Sequence, residues 1–145
     1  MPTGQCLCAS VRFSLETAPL FFYRCHCSLC RRQTGTGYNC ATIVTAANFH
    51  WLAGQADINR WQKPSGYRND FCKQCGTTVP NPLRGLPYVW VPLGLLDPQS
   101  HSMTCVGDYC LNDAMPWDTL RSDVCLEGAP ASVESLIAAL GVSPL

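Results

Sequence analysis

The clearest strand signal lies near the start of the chain, where apolar and polar residues alternate. Val11, Phe13 and Leu15 fall on one side of an extended segment, and the polar residues between them fall on the other. Later apolar segments are equally short and are separated by Gly, Pro and polar residues, which predicts further short strands. We predict these strands at residues 20–24, 38–44, 49–52, 58–61, 88–91 and 102–106.

Only the C-terminal segment has the periodicity of a helix. Ser132 is a suitable N-cap residue, and Gly141 is suited to end the helix. The apolar positions between them recur at helical spacing: Val133, Leu136, Ile137 and Leu140. We therefore predict one helix over about 132–141 in an otherwise mainly β fold of short strands and long loops, with residues 1–145 forming a single domain.

The composition agrees with a folded domain and argues against two kinds of partner. Hydrophobic residues make up 47% of the chain and charged residues only 14%, which excludes a disordered segment. Lys and Arg number 10, as do Asp and Glu, so the chain lacks the basic surplus that neutralises phosphates in nucleic-acid binders. The most apolar stretch, Leu86 to Leu96, is too short to cross a membrane, and Pro87 and Pro92 interrupt it.

No secretion signal is visible at the N-terminus, so a reduced, cytoplasmic chain is expected. This matters because the chain has 11 cysteines, and reduced cysteines favour metal binding over cross-linking. Seven of them are grouped as a pair, a triplet and a second pair: Cys6 and Cys8; Cys25, Cys27 and Cys30; Cys72 and Cys75. Thiolates are strong ligands for zinc, and the spacings within each group allow its sulfurs to converge.

Seven ligands divide naturally into four and three. A structural zinc site takes four protein ligands, whereas a catalytic site usually takes three and leaves one position open. The simplest division joins the two pairs into a structural site and leaves the triplet as an open one. The spacing does not force this division, because the triplet could close by recruiting His26, His50 or another cysteine. A disulfide framework is the competing interpretation.

Three residues beside the triplet are candidates for further roles. His26 lies between two cysteines, either as a proton shuttle or hydrogen-bond donor near the metal, or as a packing residue that stabilises the turn. Arg31 and Arg32 follow the triplet in a polar, Gly-rich segment over 31–37 that we predict to be a loop. They either bind substrate carboxylates, which a guanidinium grips with two hydrogen bonds, or lie in a solvated connection.

The three cysteine segments together resemble one family. Segments 4–8 (GQCLC), 25–31 (CHCSLCR) and 71–76 (FCKQCG) are similar to the signature segments of the glutathione-dependent formaldehyde-activating enzymes, also called the GFA or CENP-V domain. The resemblance extends from about residue 4 to about Pro116 and Trp117, and the C-terminal helix follows it as an extension. Ala9 stands where the family commonly has Gly, and residues 107–113, with Cys110, do not match the pattern.

The resemblance implies an Mss4-like, mainly β fold with two zinc ions per chain. By position, Cys6, Cys8, Cys72 and Cys75 would hold the structural zinc, and the triplet would hold the catalytic zinc. The implied activity is addition of glutathione to formaldehyde, which gives S-hydroxymethylglutathione and is classed as a carbon–sulfur lyase activity. The implied partner is a small thiol, glutathione or its adduct.

The chemistry of a zinc ion with three thiolates agrees with that activity. Such a centre is a weak Lewis acid, so activating water suits it poorly, whereas a fourth thiolate from a small molecule suits its open position. The bound thiolate could attack a small carbonyl. The alternative function is a zinc scaffold without catalytic activity that binds a protein partner. An enzyme requires an open triplet beside a pocket near Arg31 and Arg32, whereas a scaffold would close or bury the triplet.

Overall fold

The computed structural model describes residues 1–99 and 101–142, and within them the regular structure is mainly β. The predicted fold class is therefore confirmed. The strands are β1 (Thr3–Gln5), β2 (Arg12–Leu15), β3 (Phe21–Cys25), β4 (Asn39–Thr45), β5 (Phe49–Ala53), β6 (Ile58–Gln62), β7 (Arg68–Cys72), β8 (Asn81–Pro82), β9 (Tyr88–Pro92) and β10 (Thr104–Tyr109). The helices are α1 (Ser28–Thr34) and α2 (Val133–Ala139), and several short 3₁₀ turns connect the strands.

The strands form three small sheets. The largest has the order β10-β3-β4-β9-β8, and all its pairings are antiparallel except the parallel pairing of β10 with β3. The second sheet, β1-β2-β5, and the third, β6-β7, are antiparallel throughout. This topology matters for the site because β3 ends at Cys25 and β7 ends at Cys72.

The hydrophobic core has two main parts. One lies between the β2 and β4 regions, where Phe13 and Leu15 are fully buried, as the alternating pattern predicts. Phe13 and Phe49 stack with their ring centroids 5.3 Å apart. The other part lies under α2, whose Leu136 and Ile137 pack in one cluster with residues of the largest sheet.

The predicted helix is confirmed at both ends. The Ser132 hydroxyl accepts a hydrogen bond from the backbone N–H of Ser135 at 3.0 Å, and the Ser135 hydroxyl accepts one from the N–H of Ser132 at 3.1 Å. These two bonds form a capping box. Gly141 has a φ of 69° just beyond the helix, a conformation that glycine adopts without steric cost.

The prediction of a loop over residues 31–37 is wrong in its first half. Arg31 and Arg32 belong to α1, which begins after Cys27 and ends at Gly35, whose φ is 68°. The helix has seven residues, so it shows too few turns for an apolar periodicity to stand out in the sequence. Its N-cap is a cysteine rather than the usual Ser, Thr, Asp or Asn, which also hid its start.

The predicted strands are confirmed, with ends that differ by a few residues, and β1, β7 and β8 add to them. Because the strands predicted at 49–52 and 58–61 each contain a tryptophan, the sequence predicts Trp51 and Trp61 in the core or in cross-strand aromatic contacts. Trp51 packs edge-on against Phe49 with ring centroids 4.8 Å apart, whereas Trp61 is 55% exposed on β6. No helix in residues 1–99 and 101–142 is both long and apolar enough to cross a membrane.

Ala9 has a left-handed backbone conformation with a φ of 65°. A residue with a Cβ atom is strained there, whereas glycine is not, so the structure explains why a glycine suits this position. We expect Ala9→Gly to raise the free energy of unfolding by about 1 kcal/mol. Thermal unfolding of the zinc-loaded protein measures this change. Ala47→Gly, at an exposed position without a positive φ, is the control and is expected to destabilise instead.

Candidate metal centres and the adjoining cavity

Two groups of cysteines converge in the fold. The first, the four-cysteine cluster, consists of Cys6, Cys8, Cys72 and Cys75, whose Sγ atoms all lie within 4.8 Å of one another. Cys6 and Cys8 follow β1, and Cys72 ends β7, so residues distant in the sequence meet there. The sequence predicted this grouping from ligand number and from the family resemblance.

Backbone turns aim these sulfurs at one point. The Cys6 Sγ accepts a hydrogen bond from the backbone N–H of Val11 at 3.3 Å, which fixes the thiol of the first turn. In the second turn the backbone N–H of Gly76 donates to the carbonyl of Cys72 at 2.7 Å, with a φ of 78° at Gly76. This confirms the predicted positive φ, which lets the chain turn tightly around a metal.

The sulfur separations fit a tetrahedral metal ion rather than disulfides. Sulfurs held at about 2.3 Å from one zinc ion would lie about 3.8 Å apart. The Sγ atom of Cys8 lies 3.7 Å from that of Cys6 and 3.8 Å from that of Cys72. A disulfide needs about 2.05 Å. All eleven cysteines, each of them in the described part of the chain, are free, so the disulfide interpretation is wrong.

The second group, the three-cysteine cluster, consists of Cys25, Cys27 and Cys30, whose Sγ atoms also lie within 4.8 Å of one another. Cys25 ends β3, Cys27 is the N-cap of α1, and Cys30 lies in its first turn. The Cys27 Sγ accepts a hydrogen bond from the backbone N–H of Cys30 at 3.3 Å. The missed helix α1 is therefore what brings Cys30 back toward the other two sulfurs.

Within the described residues the three-cysteine cluster has no fourth ligand of its own. His50, considered as a closing ligand, lies on β5 and its Nε2 pairs with Glu16 at 2.7 Å. Cys110 is close enough to Cys25 for a hydrogen bond between the two thiols, but it does not belong to the three-cysteine cluster. Two groups that can each hold a metal ion thus differ in ligand number, four against three.

The three thiols affect one another's protonation. Hydrogen bonds from Cys25 and Cys30, together with the backbone N–H groups at the start of α1, lower the pKa of Cys27. Hydrogen bonds with Cys27 and Cys30, together with partial burial, raise the pKa of Cys25. A thiolate is the form of cysteine that binds a metal, so the lowered pKa of Cys27 agrees with a role as a ligand.

A cavity of about 280 Å³ lies directly beside this cluster, and we call it the aromatic cavity. Cys25, Cys30 and Cys110 contribute to its wall. Most of the remaining surface is aromatic or apolar: Tyr23, Tyr67, Trp90, Tyr109, Pro130 and Leu136. A three-sulfur site next to a largely apolar cavity with a few polar side chains, Gln33, Asn39, Arg68 and Asn81, is the arrangement expected of a small-molecule site.

Tyr67 is the wall residue whose hydroxyl comes closest to the sulfurs. Its Oη lies 4.0 Å from the Cys30 Sγ and donates a hydrogen bond to the side-chain oxygen of Gln33. Burial and the neighbouring thiols raise the pKa of Tyr67, so the phenol stays protonated at neutral pH. The cavity therefore offers a neutral hydrogen-bond donor a few ångströms from the cluster.

His26 lies in a buried polar network and does not line the aromatic cavity. The side chain is fully buried; its Nε2 lies 2.7 Å from Asp108 and its Nδ1 lies 2.5 Å from Asp118. Each ring nitrogen is therefore within hydrogen-bond distance of a carboxylate. Arg24 pairs with Asp108 at 2.7 Å, and Arg121 pairs with Asp118 at 3.4 Å. This arrangement favours the turn-stabilising role over a proton shuttle.

The Asp108 carboxylate is the centre of that network. Burial alone would raise its pKa, but hydrogen bonds from Arg24, His26 and the backbone N–H of Ser122 hold the pKa well below its usual range. A depressed folded pKa contributes stability above pH 4 that is lost as the pH falls through the folded value. His26, the residue between Cys25 and Cys27, is thus connected to β10 by its hydrogen bond with Asp108.

Arg31 and Arg32, the candidates for substrate contact, are not part of the aromatic cavity's wall. Arg31 is half-buried, and its Nε has no hydrogen-bond partner, while Arg32 is exposed on α1. The arginine that does line the cavity is Arg68, which the sequence did not single out. Arg68 binds Asp70 with both Nε, at 3.0 Å, and Nη2, at 2.6 Å.

Sequence reasoning also missed Asp108, Asp118 and the aromatic wall. Asp108 follows His26 by 82 residues and Asp118 by 92, and no short motif connects them. A cysteine outside the three groups is most simply predicted to be a small buried hydrophobic residue, and four belong to this class: Cys40, Cys105, Cys110 and Cys125. The structure corrects this, because the first three are half-buried and Cys125 is exposed.

Residues 1–111 match the glutathione-dependent formaldehyde-activating enzyme family. This match covers both cysteine clusters. The chain belongs to this family. The predicted resemblance is therefore confirmed, and the segment that follows residue 111, including α2, lies outside the match.

Two individual proteins are similar to this family member. A Halomonas elongata protein named "Putative glutathione-dependent formaldehyde-activating enzyme" is 33% identical over 84 residues, which is 52% of this chain and 52% of that protein. The chain thus matches about half the length of this curated relative. A crystal structure of a Rhodobacter sphaeroides protein has a TM-score of 0.56 at 21% identity, covers 71% of this chain and 98% of its own, and supports the fold alone.

Proposed function

We propose that the chain is a zinc-dependent carbon–sulfur lyase or thiol-adduct enzyme that binds a small thiol such as glutathione at the three-cysteine cluster. Two zinc ions per chain are part of the proposal. The four-cysteine cluster would hold a structural zinc ion, and Cys25, Cys27 and Cys30 would hold a catalytic one. The observation that carries the proposal is the cavity of about 280 Å³ beside a cluster that has one ligand too few.

The reaction joins a thiol to an aldehyde. The sulfur forms a bond to the carbonyl carbon, the carbonyl π bond breaks, and the thiol proton ends on the oxygen, so the product is a hydroxymethyl thioether when the aldehyde is formaldehyde. A bound zinc ion supplies a lowered thiol pKa, which keeps the substrate sulfur deprotonated at neutral pH. The chain's part is to hold the carbonyl beside that sulfur and away from water.

Tyr67 is the residue we propose to orient the carbonyl. Its hydroxyl lies in the cavity wall 4.0 Å from the Cys30 Sγ, and its raised pKa keeps the phenol protonated. When substrate binds, this single O–H would turn from Gln33 to the carbonyl oxygen and stabilise the negative charge that develops there. We also propose that Arg31 and Arg32, which do not line the aromatic cavity, meet the carboxylates of glutathione.

Zinc stoichiometry tests the division into two sites. We expect two zinc ions per chain in the freshly purified protein and one in Cys27→Ser, with the fold intact, because Cys27 holds only the three-cysteine cluster. Metal analysis and circular dichroism measure the two quantities. Cys110→Ser is the matched control: Cys110 lines the same cavity but stands outside the cluster, so it is expected to retain two ions.

Glutathione binding tests the proposed activity itself. Cobalt replaces zinc in cysteine sites and reports a new thiolate ligand as a change in its absorption spectrum. We expect glutathione to change the spectrum of the cobalt-loaded protein and to leave that of Cys27→Ser unchanged. A spectrum that no thiol alters would contradict an open thiol site.

The alternative function is a zinc scaffold that binds a protein partner without catalysis. A scaffold needs no open position, so its second metal would be held by four ligands or sealed from solvent. The half-buried Cys25 and Cys27 and the adjoining cavity favour the enzyme. One zinc ion per chain, or loss of the fold in Cys27→Ser, would favour the scaffold.

A further inference from the structure

We infer that the aromatic cavity selects an uncharged thiol with an aromatic or bulky apolar substituent, in preference to glutathione. The inference rests on the proposed function, because it assumes that the three-cysteine cluster holds the sulfur of that thiol. It concerns the substituent of that thiol, which would lie in the neighbouring cavity. The family's name indicates a thiol, but the wall of this particular cavity determines which substituent fits beside the sulfur.

The wall is built to contact apolar groups. Tyr23 and Tyr109 are tilted against each other with ring centroids 6.0 Å apart, and both line the cavity together with Trp90. The indole N–H of Trp90 donates to the Tyr23 hydroxyl at 2.9 Å, so these two polar groups satisfy each other. The ring atoms that line the cavity would therefore contact the apolar part of a ligand, and each apolar group buried there adds to the affinity.

The wall offers little to a charged ligand. Among the residues lining the cavity, all in the described part of the chain, Arg68 is the one cation, and Asp70 binds it through two hydrogen bonds. Glutathione carries two carboxylates and an ammonium group at neutral pH. Moving these groups into an apolar space without partners costs free energy, and the amide side chains in the wall are neutral.

The cavity's size agrees with one ring. Pockets that enclose drug-sized ligands have volumes of roughly 300 to 1,000 Å³. A cavity of about 150 Å³ can hold benzene, so this one, at about 280 Å³, has room for a single aromatic or branched substituent. Formaldehyde alone would leave most of it unfilled.

The segment beyond the family match contributes to this selectivity. Ala129, Pro130 and Leu136 complete the wall, and all three follow residue 111, where the match ends. Leu136 is 8% exposed and belongs to α2, which packs on the largest sheet. The ligand preference therefore depends in part on a C-terminal segment that lies outside the family match.

Three thiols test the inference on the cobalt-loaded protein. The probes are 2-phenylethanethiol, 2-mercaptoethanol and glutathione, and the readout is the concentration that half-completes the spectral change. We expect 2-phenylethanethiol to bind at least about tenfold more tightly than either of the others, because its ring is buried and theirs is absent. Equal affinities, or tighter binding of glutathione, would overturn the inference and leave the proposed function standing.

A matched pair of variants on α2 separates ligand contact from stability. Leu136 and Leu140 are similarly buried, at 8% and 5% exposure, but only Leu136 lines the cavity. We expect Leu136→Ala to weaken 2-phenylethanethiol binding about fivefold and to leave 2-mercaptoethanol unchanged. Leu140→Ala should change neither. A change in both variants alike, or in neither, would contradict the contact with Leu136.

An exposed position keeps the test possible if the leucine variants fail to fold. Ala129 lies in the cavity wall and Ala131 does not, and both are exposed. We expect Ala129→Glu to weaken 2-phenylethanethiol binding several-fold while Ala131→Glu has no effect. If none of the three thiols changes the spectrum, the proposed function is refuted, and the inference with it.

Discussion

We expect Cys72→Ser to lose the metal of the four-cysteine cluster and to unfold. Cys72 is fully buried and its sulfur lies 3.8 Å from that of Cys8, so the variant leaves three thiols with an incomplete site in the core. Structural zinc contributes folding free energy directly. A loss of 5 kcal/mol or more would lower the midpoint of thermal unfolding by about 10 to 20 °C, or leave no folded protein at 25 °C.

Cys40→Ser is the control for this prediction, because Cys40 is half-buried on β4 and belongs to neither cluster. It is expected to cost only about 1 kcal/mol. Thermal unfolding and zinc content, measured on the same samples of both variants, test this prediction. A Cys72→Ser protein that melted like wild type with one zinc ion fewer would show that the four-cysteine cluster does not stabilise the fold.

The second large effect is expected at His26. His26→Ala removes the ring that lies between Asp108 and Asp118, so each buried carboxylate loses one hydrogen-bond partner and an empty space is left among buried polar groups. Breaking a buried charge network by removing one partner costs about 3 to 5 kcal/mol. We therefore expect the midpoint of thermal unfolding to fall by roughly 10 °C at neutral pH, measured with zinc present at two equivalents.

His50→Ala is the matched control for this prediction. His50 also pairs with a carboxylate, that of Glu16 at 2.7 Å, but the His50 side chain is 46% exposed. Exposed pairs contribute at most about 1 kcal/mol, so this variant is expected to melt within about 3 °C of wild type. Equal effects of the two histidine variants would mean that burial of the His26 network does not stabilise the fold.

The His26 network also explains how the three-cysteine cluster is held in place. Asp108 lies on β10, which pairs in parallel with β3, the strand that ends at Cys25. The His26 ring crosses from the cysteine segment to that carboxylate, while Asp118 holds its other nitrogen. His26 is therefore anchored by two carboxylates, while Cys25 and Cys30 contribute to the cavity wall.

The sequence by itself determined the local features. Alternating residues such as Phe13 and Leu15 predicted the buried face of β2, and the spacing after Ser132 predicted α2. Each of these signals is local, because a strand repeats every two residues and a helix about every 3.6. The cysteine groups were predicted for the same reason, since the sulfurs within each group are separated by one or two residues.

Tertiary structure decided which distant residues meet. No local pattern in the sequence indicates that Arg68 rather than Arg31 lines the cavity, because β7 reaches the cavity only after β6 and β7 pair. Likewise, Asp108 meets His26 because β10 pairs with β3 across a long connection. Such contacts depend on how sheets pack, which no local spacing encodes. The sequence thus determined the sulfur ligands of the candidate centres, while packing alone decided the cavity beside the three-cysteine cluster.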